Sequence, residues 1–175
     1  MAGQQGRFDR RYLFSFGGVV IGTVLAWGLL FAFWPAASAG VDSAGDRLAL
    51  AAGLLVWPAL VLLVMVFAVA LARLASAAFD PLNDPESWFQ RRAQRALTNT
   101  VEQTAIFAPA LLAAAVLADP VDIRFAGIMT ALFCAGRILF WAGYVVNAYY
   151  RAPGMIMTLN INVAVVAFAV YRAIQ

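Results

Sequence analysis

The sequence predicts an all-α integral membrane protein, and three features carry that expectation. Of the 175 residues, 64% are hydrophobic and 12% charged, against the roughly one quarter charged that clothes a water-soluble domain. The apolar residues fall into five runs, at about 12–35, 47–79, 90–118, 121–148 and 153–174, each long enough for the ~20 residues that a helix needs to cross a bilayer core about 30 Å thick. None of the runs alternates with period two, which argues against a β-barrel. Helices are then what satisfies the backbone inside lipid.

The breaks between the runs are turn chemistry. Trp34-Pro35 and the stretch AASAGVDSAGD close the first run, and FDPLNDPES follows the second. Asp119-Pro120 follows the third, and Ala152-Pro153-Gly154 follows the fourth. The first run is longer than the core of a typical secretory signal, so it reads as a span despite the small-residue segment PAASAG behind it. Small residues are dense along the runs, as in LALAAGLL, LLAAAVLA and AGRILFWAG, which suits close helix packing and an oligomer in a membrane. Trp27, Trp34, Trp57, Trp88 and Trp141 read as interface anchors and packing residues.

Orientation is read from arginine, because short basic loops stay cytoplasmic. Arg7, Arg10 and Arg11 precede the first run, Arg91, Arg92 and Arg95 follow the second, and Arg151 follows the fourth. The other two loops hold Asp42, Asp46, Asp119 and Asp122 beside only Arg47 and Arg124. The expectation is a bacterial inner-membrane protein with a cytoplasmic N-terminus and the opposite side for the C-terminus. Nucleic acid is not an expected partner.

Composition also narrows the chemistry. The chain has no histidine and no lysine, and its 12 basic residues are all arginine. The commonest general base and metal ligand are therefore absent. The single Cys134 rules out a disulfide framework or cysteine metal site within one chain, and reads as packing. No metal site is expected.

Charges inside a spanning helix cost at least ~2.5 kcal/mol each on insertion scales, so each needs a reason. Arg95, Asn99 and Glu102 fall at i, i+4 and i+7 in the third run and share one helix face. Arg137, Tyr144 and Arg151 recur every seven residues across the fourth. Counting roughly 1.5 Å per residue from the arginine-rich end, Arg137 and Glu102 are expected to meet at similar depth. Arg73 brings a further cation to that side. A cavity of guanidinium groups, one carboxylate, an amide and a phenol suits a small zwitterionic or anionic ligand bearing carboxylates. The same residues admit a plainer reading, in which Arg95, Glu102 and Arg137 form an ion-pair lock between helices, and Arg73 and Arg151 snorkel to the interface.

These residues carry a resemblance to the MAPEG family, the membrane-associated proteins in eicosanoid and glutathione metabolism. RALTNTVE resembles the family's R-x-x-x-N-x-x-E signature, and GRILFWAGY followed by RAP resembles its later G-R-x-x-x-x-x-x-Y segment. RLASAAFDPLNDPE resembles the end of the family's first helix. The resemblance covers about 47–175, and implies a four-helix MAPEG-like domain there. Residues 1–46 would hold a tail, an additional N-terminal transmembrane helix and a loop.

The resemblance further implies a homotrimer with glutathione bound between neighbouring subunits near the cytoplasmic face, and a lipophilic small-molecule substrate reached from the bilayer. Arg73, Arg95, Asn99, Glu102, Arg137 and Tyr144 would form the glutathione site, and Arg151, Tyr144 and Arg137 would be the catalytic candidates. The implied activity is that of a glutathione-dependent transferase or peroxidase acting on lipophilic electrophiles. The alternatives are a non-catalytic lipid-binding member and a small proton-coupled transporter. Three positions depart from the pattern. Thr98 stands where the prostaglandin synthase branch has a second Arg, and Phe140 where a Tyr or His is expected. PGMIMTLN lacks the Arg-Ser type sequence of some members, leaving Arg151 for that role if its loop folds inward.

Overall fold

The computed structural model describes residues 2–33, 41–77, 80 and 83–175, with the side chains of 2–12, 14 and 15 outside the description. Trp34-Pro35, most of the loop behind them, and the side chains of Arg7, Arg10 and Arg11 therefore lie outside the described residues. Among the described residues six helices follow in order: α1 (Ala2–Phe33), α2 (Ala44–Leu54), α3 (Val56–Ala75), α4 (Trp88–Leu117), α5 (Arg124–Val146) and α6 (Ala152–Ala173). Among the described residues five segments are long and apolar enough to cross a membrane, with α2 and α3 forming one of them at Ala44–Ala75. The protein is an all-α integral membrane protein.

The run expected as a single helix at 47–79 is split at Leu55, whose N–H still reaches Ala51 O and Ala52 O at 3.2 Å. Pro58 supplies the reason, since it has no N–H to offer Leu54 O and its ring crowds that carbonyl. Serines cap two helix starts. Ser43 Oγ accepts from Gly45 N at 3.2 Å before α2, and Ser87 Oγ accepts from Gln90 N at 3.1 Å before α4.

Helix ends leave carbonyls without intrahelical partners, and here arginines supply the donors. Arg47, placed in an outer loop by charge counting, is buried and donates to Ala115 O at 3.2 Å and Val116 O at 3.3 Å, at the end of α4. It also ties down Asp42 O at 2.7 Å and Val41 O at 3.0 Å. Arg172 of α6 donates to Leu117 O at 3.0 Å and pairs with Asp119. At the other end of the bundle, Arg92 donates to Tyr144 O and Val145 O at 3.1 Å, where α5 ends. Removing Arg47 would strand buried carbonyls, each costing about 1–3 kcal/mol. Arg47→Ala is expected to lower the melting temperature clearly in detergent.

The helices pack with α6 at the centre, against α4, α5 and α1, while α3 and α2 lie along α4. The half toward Asp119 is apolar, built on Phe107 and Phe133 stacked at 4.2 Å with Leu111, Met129, Ile161 and Val165 around them. The other half is polar inside. A buried pair divides the two, with Asn162 Nδ2 donating to Gln103 Oε1 at 2.8 Å. Beyond it the smaller cluster of Met65, Ala96, Phe140 and Tyr144 surrounds the charged residues.

Candidate functional site

Arg137 is the centre of the polar half. It projects from the middle of α5 and is fully buried, at 0% exposure. Its Nε donates to Thr158 Oγ1 of α6 at 3.0 Å, and its Nη1 to Asn99 Oδ1 of α4 at 2.9 Å. The guanidinium carbon lies 4.5 Å from the centre of the Phe140 ring, a cation–π distance. Phe140 thus packs its ring face on the cation. Nη2 reaches only the thioether of Met155, at 4.0 Å, which is a weak acceptor.

The expected meeting of Arg137 and Glu102 is indirect. Asn99 stands between them, accepting from Arg137 and donating through Nδ2 to Glu102 Oε2 at 3.4 Å. Among the described residues no ion pair joins Glu102 to Arg95 or Arg137, so the ion-pair lock is not what holds these helices together. Glu102 and Arg95 point outward on α4 and are exposed in the single chain.

Beside Arg137 opens a cavity of about 340 Å³ lined by Arg95, Asn99, Phe140, Tyr144, Arg151 and Met155. The turn before α6 leaves Arg151 exposed on the cavity wall. Tyr150 N bonds to Asn147 O at 2.9 Å, and the Arg151 guanidinium comes to lie 5.1 Å from the Tyr144 ring centre. A second hollow of about 420 Å³, lined by Trp88, Arg91, Arg92, Arg95 and Tyr144, adjoins the first. Arg95 and Tyr144 are common to both. A cavity of about 490 Å³ between α1 and α5 has only apolar walls, including Leu29, Phe33, Ile128 and Leu132. It has no group with which to do chemistry, so the smaller polar cavity is the better candidate.

Of the residues singled out from the sequence, Arg95, Asn99, Tyr144 and Arg151 line this cavity, and Arg137 lies behind its wall, against Asn99, Phe140 and Met155. Arg73 does not line it in the single chain. Its Nη2 meets Gln94 Oε1 at 3.4 Å across the α3–α4 seam, and its Nε is buried without a partner. Thr158 and Met155 were not singled out, yet both touch Arg137. Their signal was the spacing 151, 155, 158 and 162 on α6, which places Arg151, Met155, Thr158 and Asn162 on one face. Among the described residues no cluster of His, Cys, Asp or Glu is arranged to hold a metal.

The arrangement offers an anion several donors and no competing carboxylate inside the cavity. Arg137 is buried behind the wall with Nη2 against the weakly accepting Met155 thioether, while Arg95 and Arg151 line the opening. Tyr144 adds a phenol that can donate a hydrogen bond.

Comparison with known proteins agrees with this architecture. The model of the MAPEG family matches residues 48–171. An uncharacterized protein of the cyanobacterium Synechocystis sp. is 36% identical over 107 residues, covering 57% of this chain and 75% of the relative. The family match at 48–171 runs from within α2 into α6 and includes every residue of the cavity wall, and the chain belongs to the MAPEG family.

Proposed function

We propose that the protein is a membrane-bound glutathione-dependent transferase or peroxidase acting on lipophilic electrophiles. The carrying observation is Arg137, a fully buried guanidinium whose partners are all neutral. A buried charge without a counter-charge costs several kcal/mol, and a ligand bearing carboxylates would supply what the fold withholds. The residues fit glutathione. Arg95 on the cavity wall suits one carboxylate, Arg137 suits another that displaces the Met155 thioether from Nη2, and Glu102 suits the ammonium. Bound glutathione supplies the nucleophilic thiol that attacks an electrophile or reduces a peroxide. Arg151 favours the thiolate by its charge, and Tyr144 orients the reacting groups by a hydrogen bond. No side chain of the protein becomes covalently attached.

The site is shared between copies in this reading. Glu102 and Arg95 are exposed on α4 at a depth where lipid contact would cost at least ~2.5 kcal/mol each. A neighbouring subunit of a homotrimer covers them and brings its own Arg73 toward the seam. The arginine-rich end, with the cavity, faces the cytoplasm, as does the N-terminus, in a bacterial inner membrane. Phe140, which brings no hydroxyl, supports the non-catalytic lipid-binding reading, whereas Glu102 supports the enzyme.

Thermal stabilisation of the detergent-solubilised protein by glutathione, followed by conjugation of a generic electrophile, tests the proposal. Stabilisation with turnover is expected, and stabilisation alone leaves the lipid-binding reading. Glu102→Gln is expected to weaken glutathione about tenfold, or ~1.4 kcal/mol, with three copies retained in native mass spectrometry. A monomeric unsubstituted protein overturns the shared site.

A further inference from the structure

Helix α1 lies outside the residues matched to the family, and its contacts are specific. Gly18, Gly22, Ala26 and Leu30 recur at four-residue spacing and are all buried. The first two let the backbone of α1 touch the first turn of α6. A Cβ on Gly18 would collide with Cβ of Ala152, and one on Gly22 would stand 2.5 Å from Pro153 O and 2.9 Å from Ile156 Cβ. One turn further on, Trp27 Nε1 donates to Asn160 Oδ1 at 3.2 Å, while Asn160 Nδ2 donates to Ile156 O at 2.9 Å and lies 3.5 Å from Thr23 Oγ1. Close backbone approach at small residues and side-chain hydrogen bonds are what drive helix association in lipid.

What α1 touches is the reverse side of the element that carries the site. On α6, Arg151, Met155 and Thr158 face Arg137 and the cavity, whereas Ala152, Pro153, Ile156 and Asn160 face α1. From the opposite side α5 presses on the same turn. A Cβ on Gly143 would collide with Tyr150 O and stand 3.2 Å from Arg151 N, and one on Gly154 would stand 2.6 Å from Gly136 O. The start of α6 is therefore gripped between two helices at backbone contact. Interiors this closely packed transmit small displacements rather than absorb them.

We infer that α1 is a buttress for the site: Gly18, Gly22 and Asn160 are positioning residues that fix the first turns of α6, and through them Arg151 over Tyr144 and Thr158 against Arg137. This rests on the glutathione reading for its functional consequence, while its structural part stands on the contacts alone.

Gly22→Ala and Gly17→Ala make a matched test, because each adds one methyl group to α1. Nothing lies within 4 Å of the Gly17 position. Amide hydrogen exchange is read over 148–160 in detergent, with glutathione affinity measured on the same preparations. Gly22→Ala is expected to speed exchange in that segment about tenfold and to weaken glutathione severalfold, with exchange over 94–107 of α4 unchanged and Gly17→Ala like the unsubstituted protein. Asn160→Leu, which removes the Trp27 hydrogen bond without adding bulk against α1, is expected to act in the same direction and serves if Gly22→Ala does not fold. Unchanged exchange in the substituted proteins overturns the buttress, and faster exchange with unchanged glutathione affinity overturns its positioning role. Failure of the unsubstituted protein to bind glutathione overturns the functional reading instead, whatever the exchange shows.

Discussion

Arg137→Met should abolish glutathione-dependent stabilisation while leaving the ligand-free protein as stable as before, or more so. The two halves of this expectation have one cause. In the ligand-free chain the Arg137 guanidinium is fully buried, held by Thr158 and Asn99, with no anion beside it. Its desolvation is offset only by neutral acceptors and the face of Phe140. Replacing this lone buried charge by an apolar side chain of similar volume removes that desolvation cost, which exceeds the loss of a neutral hydrogen bond to Asn99. Losing a desolvated guanidinium–carboxylate contact costs about 2–5 kcal/mol of binding, so affinity should fall by at least ~30-fold. Thermal melting with and without glutathione reads both quantities. Lower stability of the ligand-free Arg137→Met protein, with undiminished glutathione response, would make Arg137 a structural residue and remove the main support for the proposed function. Arg137→Lys sharpens the result. An ammonium keeps the charge but not the planar fork that reaches Thr158 and Asn99 together, so binding should be weakened rather than lost.

The spans were legible in the sequence because lipid imposes a length and an apolar composition that few other constraints mimic. The same patterning located Arg95, Asn99 and Glu102 on one face of α4. What it could not supply was the identity of the neighbour. Depth alone brought Glu102 to Arg137, but the shorter Asn99 side chain occupies the space between them and takes the hydrogen bond. Arg47 was misplaced for a related reason. Counting charges treats every arginine near a loop as solvated, whereas the unpaired carbonyls at the end of α4 draw this one into the structure. Arg73 shows that a stripe of cations does not specify a shared cavity, since its guanidinium turns to Gln94 across the α3–α4 seam. Thr158 and Asn160 escaped notice because a search for costly charges passes over neutral polar groups. In the folded chain those two residues join α6 to the site on one face and to α1 on the other. The break at Leu55 was readable from Pro58, whose missing N–H leaves Leu54 O without its usual donor.

The second large effect is expected at Arg151, and its signature is a dependence on pH. This guanidinium is exposed on the cavity wall, 5.1 Å from the Tyr144 ring centre, although the sequence after it lacks the pattern that some family members use. A cation within about 4–6 Å of a thiol favours the thiolate and lowers the thiol pKa by about 1–3 units. Without Arg151 the bound thiol is expected to ionise at higher pH. At pH below both values each unit of that change removes tenfold in thiolate, so Arg151→Ala should lower turnover there by about one order of magnitude or more. As pH rises the substituted protein also ionises its thiol, and the deficit should close. Glutathione affinity should change far less than turnover, because Arg137, Asn99 and Glu102 remain. The ultraviolet absorbance of the bound thiolate, titrated against pH, separates this role from a structural one. Loosening of the turn would weaken binding at every pH and leave the titration midpoint in place. A midpoint unmoved in Arg151→Ala would therefore take the thiolate away from Arg151 and leave Arg137 as the cation that must hold it.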